Sequence, residues 1–115
     1  MVIAHENEIF ATAINHPQVK NAGMKVLIGP QQGWSDHVLR IVELEEDGFS
    51  PAHAHPWPHI NYMLEGRGIL LVDGREHPVE VGSYAYVPAD AHHQFRNIGS
   101  GKFRFICIVP KDGHQ

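Results

Sequence analysis

One cysteine, Cys107, stands in 115 residues. No intrachain disulfide can form, so stability has to come from packing or from a bound metal. Long apolar runs are missing as well: nothing approaches the roughly 18 residues that a membrane-crossing helix requires, and a membrane-spanning role is not expected. Charge of one sign is nowhere gathered into a block. Nine basic against thirteen acidic side chains leave a net charge of -4, which argues against nucleic acid as the main partner. The N-terminus, MVIAHENEIF, has an acidic residue where a secretory leader carries positive charge, and it lacks a continuous apolar stretch, so a cytoplasmic location is the expectation. Helical periodicity is also scarce, because after residue 24 no long window holds a clean 3.6-residue apolar period.

What is present is punctuation. Gly29-Pro30, Gly33, Gly48, Pro51, Pro56, Pro58, Gly66, Gly68, Gly74, Pro78, Gly82, Pro88, Gly99 and Gly101 divide the chain into short β-branched or aromatic segments. That spacing predicts an all-β sandwich or barrel of many short strands, near 24–29, 37–45, 59–64, 68–72, 76–80, 84–87, 92–97 and 103–109. Asp73-Gly74, between GILLV and REHPVEV, marks a tight hairpin because both residues tolerate positive φ. The length suits a single domain. Residues 5–20 are polar and irregular, and are read as an arm, a short helix or a strand added to a partner.

Ten of the 115 residues are histidine, and their placement carries the functional argument. In the run Gly48-Phe-Ser-Pro-Ala-His53-Ala-His55-Pro-Trp-Pro-His59, a strand would point His53 and His55 to one face. The turn Pro56-Trp57-Pro58 then brings His59 back as a third imidazole, and its prolines lower the entropy lost in holding the three together. A fourth comes from the second half. Adjacent strand residues face opposite sides, and Phe95 shares parity with His93, so His93 is chosen as the inward residue and His92 as the outward or mouth residue. His5, His16, His37, His77 and His114 are read as solvated polar residues.

Gly48…His53-x-His55-x-x-x-His59…Gly66 resembles the first motif of the cupin family, and Gly82…Pro88…His93-x-x-x-Asn97 resembles the second. Two departures stand out: His59 replaces the usual glutamate ligand, and Asp90 replaces a usual glycine. MKVLIG, HAHPWPH, FRN and ICIVPKDG extend the likeness to the small single-domain four-histidine cupins of bacteria and archaea, over residues 24–113. The resemblance implies a double-stranded β-helix (jelly-roll) barrel of antiparallel strands over residues 24–113, preceded by an arm, residues 1–23. It further implies one divalent metal on His53, His55, His59 and His93, with manganese first and iron, zinc, nickel, cobalt or copper as alternatives. A homodimer formed through the N-terminal strands is implied as well.

Four neutral imidazoles would leave the metal's full charge in place, and an octahedral ion would keep two positions for a small-molecule substrate or an oxidant. On the last strand Phe103, Phe105 and Cys107 share one face and Ile106 and Ile108 the other; the resemblance puts Phe105 and Cys107 beside the metal. Arg40, within HVLRIVEL, is either an outward charge or an inward holder of a substrate carboxylate. Trp57 is a lid or cover for its turn, and Tyr62 faces out. The function expected is a metal-dependent oxidoreductase of dioxygenase type acting on a small organic molecule, with Arg40, Phe105 and Cys107 shaping the pocket. The alternatives are a non-catalytic metal or small-ligand sensor module, and a metal-dependent isomerase or lyase, which an inward Glu43, Glu45 or His92 would favour.

Overall fold

A computed structural model describes residues 1–114. The architecture is all-β: β1 Thr12–Ala13, β2 Lys20–Ile28, β3 His37–Phe49, β4 His59–Glu65, β5 Arg67–Val72, β6 Arg75–Glu80, β7 Tyr84–Val87, β8 His93–Asn97 and β9 Phe103–Pro110. Single 3-10 turns lie at Glu6–Glu8, Pro30–Gln32 and Lys111–Gly113, and no α-helix occurs among the described residues. Every strand pairing is antiparallel, in the order β6-β5-β8-β3-β9-β4-β7, with β2 on the other side of β3 and β1 on β2. The curled sheet forms a nearly closed antiparallel barrel.

The strands follow from alternation. β9 reads buried and half-buried in strict turn, with Phe103, Phe105, Cys107 and Val109 inward. Val38, Val42 and Leu44 from β3, Met63 from β4, Leu70 from β5 and Phe95 from β8 complete the core. Phe95 stacks on Phe105 with ring centres 4.2 Å apart, and Phe103 lies 5.1 Å from Phe105. Gly68 is required beneath them, because a Cβ there would sit 2.5 Å from both the Arg96 carbonyl oxygen and the Phe103 ring. The predicted hairpin is present: Val72 pairs with Arg75, and Asp73 and Gly74 take φ of +48° and +83°.

Two strands are longer than the sequence pattern indicates. β2 begins at Lys20, and β3 continues through Glu45, Glu46 and Asp47 to Phe49. These polar residues interrupt the apolar alternation, yet the strand persists because Phe49 pairs with Arg96 of β8. One long strand thereby joins β9 and β8, the arrangement that brings the two halves of the sequence together.

The N-terminal segment is held on its own barrel. Thr12 and Ala13 pair with Met24 and Gly23 of β2. The 3-10 turn is capped by His5, whose Nδ1 accepts from the Asn7 amide at 3.1 Å, so His5 has a local structural contact as well as exposure. Glu6 pairs with Lys25 at 3.1 Å and with Arg104, and Arg104 donates to Glu43 at 2.8 Å. Glu43 is 7% exposed, but it is spent in this outer network and does not face the barrel interior.

Candidate metal centre

His53 and His55 lie outside the regular strands, which corrects the expectation that strand parity converges them. The segment 51–58 is held instead by a single bridge, in which the His53 and His93 amides each donate to the other residue's carbonyl at 3.1 and 2.9 Å. Pro56 and Pro58 prevent the ladder from continuing, since neither has an amide N–H. His55 is fixed from another direction: the Asp90 amide donates to its carbonyl at 2.8 Å. Asp90 adopts φ +69°, the left-handed region that a glycine occupies most cheaply and that aspartate also tolerates.

His59 opens β4 and His93 opens β8, both facing inward and 4% and 3% exposed. Ligating nitrogens of His53, His55 and His93 all lie within 4.8 Å of one another. His59 stands beside that trio rather than within it: its ring centre is 4.7 Å from that of His93 and 5.5 Å from that of His55.

Hydrogen bonds select the tautomers. His55 Nδ1 donates to the Trp57 carbonyl at 2.7 Å, and His93 Nδ1 to the Ala91 carbonyl at 2.9 Å. His59 Nδ1 donates to Asn61 Oδ1 at 2.5 Å, while Asn61 Nδ2 donates to the Ile106 carbonyl at 3.2 Å and so fixes which amide atom faces the histidine. A carbonyl can only accept, so these three rings carry their proton on Nδ1 and present a bare Nε2. Burial, reinforced by the charge of His93 and opposed by the Asn61 bond, lowers the His59 pKa to about 4. His53, open at the mouth, is also lowered to about 4 by partial burial and by His93 and His55. Burial lowers His93 too, against the opposing bond to Ala91.

The imidazoles open into a cavity of about 420 Å³ whose walls include Val42, Phe95, Phe105, Cys107 and Val109. Arg40 lines it as well, directly across from Cys107 in the β3–β9 ladder. Trp57 forms one side, its ring 4.7 Å from His55 and within 9° of parallel. Gly113 packs so closely on Trp57 that a Cβ would lie 2.5 Å from Nε1. A separate hollow of about 510 Å³, bordered by Glu65, Arg67, Glu80 and Lys102, gathers no comparable cluster.

A cupin domain profile matches residues 40–109, more than half of the chain. The chain is a cupin. Its fold is similar to that of the polyketide cyclase RemF from Streptomyces resistomycificus, with a TM-score of 0.89 and 28% identity, covering 96% of this chain and 79% of that one. Among curated relatives, Uncharacterized protein MJ1618 of Methanocaldococcus jannaschii is 35% identical over 57 residues, 49% of this chain and 46% of the relative. Dimethylsulfoniopropionate lyase DddW of Ruegeria pomeroyi is 35% identical over 65 residues, 56% of this chain and 43% of the relative. The cupin therefore spans less than half the length of these curated relatives.

The donor set fits a divalent metal. His59 Nε2 and His93 Nε2 are 3.1 Å apart, and with both rings protonated on Nδ1 two lone pairs face each other there, a repulsive contact unless a cation lies between. Nitrogens sharing one ion at about 2.1 Å would be separated by roughly 3.0–3.4 Å. Three of the four rings also have the outer hydrogen bond that metal-bound histidines use for orientation.

Asn61 is a residue the sequence reading missed. It shares parity with His59 two positions away, which is the available signal, and it is 0% exposed. One histidine departs from the solvated reading: half-buried His114 places Nδ1 3.4 Å from Arg40 Nη1, whereas His16 is exposed at the cavity mouth. His37 stacks on Trp34 with ring centres 5.1 Å apart, whereas His77 is exposed. His92 and Tyr62 are exposed, Ile106 and Ile108 lie on the outer face of β9, and Asn97 of the second motif is structural. Its Nδ2 donates to the carbonyls of Leu44, Glu45 and Gly101 at 3.0, 3.0 and 2.7 Å.

Proposed function

We propose that this cupin is a metal-dependent enzyme in which His53, His55, His59 and His93 hold one divalent transition metal, manganese first and iron second, against a small organic substrate. The observation that carries the reading is the cavity: the bare imidazole nitrogens open into substrate-sized space, whereas a purely structural ion is closed off by its ligands. When bound, the metal supplies Lewis acidity undiminished by any anionic ligand, together with open positions for substrate oxygens. Phe95, Phe105 and Val109 exclude water and shape the apolar part of the substrate. Cys107 and Arg40 provide polar contacts on the facing wall.

Dioxygenase-type oxidation is the first reaction class. It is supported by the absence of an inward carboxylate among the described residues: none of the residues lining the cavity is acidic, Glu43 is paired on the outer side, and Glu45 and His92 are exposed. Proton abstraction, as an isomerase or lyase would need, has no obvious carboxylate base here. The likeness to a polyketide cyclase favours a second reading, a non-redox ring closure of a polycarbonyl substrate activated at the same metal. A sensor module would use the same ligands without turnover. A homodimer is part of the proposal, through the N-terminal strands as the family resemblance implies; the exposed apolar surface of Ile60, Tyr62, Tyr84 and Tyr86 on neighbouring β4 and β7 offers a second face for it, and light scattering tests it.

The deciding experiment is elemental analysis of protein purified without chelator or nickel resin, followed by turnover of small phenolic and dicarbonyl compounds in air and under argon. One manganese or iron per chain with substrate-dependent oxygen uptake supports the oxidoreductase. Equal turnover under argon selects ring closure, tight metal without turnover selects the sensor, and absence of metal refutes the proposal. His59→Ala should lower metal affinity in every case.

A further inference from the structure

Along the inward positions of β3, Val38, Arg40, Val42 and Leu44, one side chain is charged. Its guanidinium meets two weak acceptors. Nη2 donates to Cys107 Sγ at 3.1 Å, and Nη1 faces His114 Nδ1 at 3.4 Å. Nε is buried without a partner. Among the described residues no carboxylate pairs with Arg40, and none that lines the cavity is acidic. A guanidinium set into an apolar wall is costly to keep unless an anion answers it.

We infer that Arg40 is the anion anchor of the cavity, and that the substrate is a free organic carboxylate rather than a neutral ester, an amide or a carrier-bound thioester. The inference rests on reading the cavity as a substrate site. A carboxylate in the place of His114 accepts two parallel hydrogen bonds from the guanidinium fork, beginning with Nη1. The opposite end of the substrate then reaches the histidine cluster. A neutral analogue of the same shape leaves the guanidinium unanswered and is disfavoured for that reason. His114 occupies the position in the free protein. Burial and the Arg40 charge lower its pKa, so it meets Arg40 as a neutral imidazole, a weaker acceptor that a carboxylate displaces.

The test uses the metal-free full chain, labelled with nitrogen-15 and titrated with salicylate and with its neutral counterpart, 2-hydroxybenzyl alcohol. The Arg40 Nε–H resonance is assigned by its disappearance in Arg40→Met. Salicylate is expected to move that resonance and to saturate it with a Kd on the order of 1 mM, while the alcohol leaves it in place. Arg40→Met should weaken salicylate binding about tenfold or more. An Nε–H that salicylate does not move overturns the inference, and so does an Arg40→Met protein that binds salicylate as the parent does. If that variant fails to fold, the resonance shift in the parent protein decides alone. Because metal is absent throughout, failure here leaves the metal reading standing, and failure of the metal analysis leaves this result standing.

Discussion

Replacing Asn61 by leucine removes the acceptor that orients His59 while keeping nearly the same volume. In the parent protein Asn61 is fully buried, accepts from His59 Nδ1 at 2.5 Å and donates to the Ile106 carbonyl at 3.2 Å. In Asn61→Leu the His59 Nδ1–H faces hydrocarbon in a buried position. An unsatisfied buried donor costs about 1–3 kcal/mol, so urea unfolding of the metal-free variant should show a loss of that size. The ring also loses the bond that keeps Nε2 bare and aimed at its neighbours. Loss of such an outer partner typically weakens metal binding about 10–100-fold, roughly 1.4–2.7 kcal/mol, measurable by competition with a chromogenic chelator. Asn61→Asp separates the two effects. It retains the acceptor for His59, so affinity should be kept, but it turns a carboxylate oxygen toward the Ile106 carbonyl and should still lower stability. If Asn61→Leu matched the parent in both assays, the hydrogen-bond argument for the His59 tautomer would be wrong.

Acid should destabilise the metal-free protein in a definite window. His59 has a folded pKa of about 4 against an ordinary value of 6.5, so below 6.5 the unfolded chain binds the extra proton. Stability is therefore intact above about pH 6.5, declines as pH falls toward 4 and gains no further penalty from this group below that; buried His59 alone accounts for up to about 3 kcal/mol. Urea midpoints measured across that range check the sign, and His59→Gln should flatten the decline. On the outer face, Arg104→Met leaves Glu43 buried with only Lys102, 3.8 Å away, as a basic partner, and removes one of the two cations on Glu6. A loss of about 2–4 kcal/mol is expected, with faster amide exchange at residues 5–9. Unchanged exchange there would show that Glu6 does not pin the N-terminal turn.

The family and its barrel were legible because alternation, turn residues and the two histidine runs are local properties. β9 had to be a half-buried strand from its period alone, and Asp73-Gly74 had to close a hairpin from the positive φ both residues accept. His59 and His93 were legible for a related reason, since each begins a strand in which every second residue is buried, with Met63 and Phe95 as the apolar members of the inward sets. The convergence of His53 and His55 was predicted on a physical ground that does not hold, because prolines end the ladder and the bridge to His93 does the positioning.

What the sequence by itself determined is the donor chemistry: neutral imidazoles in place of a carboxylate, one lone thiol, and an arginine within an apolar strand. The tertiary structure alone decided which of these groups meet. β3 runs past its polar stretch to reach β8, and that long-range pairing brings the two motifs onto one cavity. The same fold turns Glu43 outward to Arg104, places Asn61 behind His59, and sets Arg40 beside Cys107 and His114. Each of those outcomes depends on packing between residues distant in the chain, where hydrogen-bond satisfaction and burial, rather than local period, fix the arrangement.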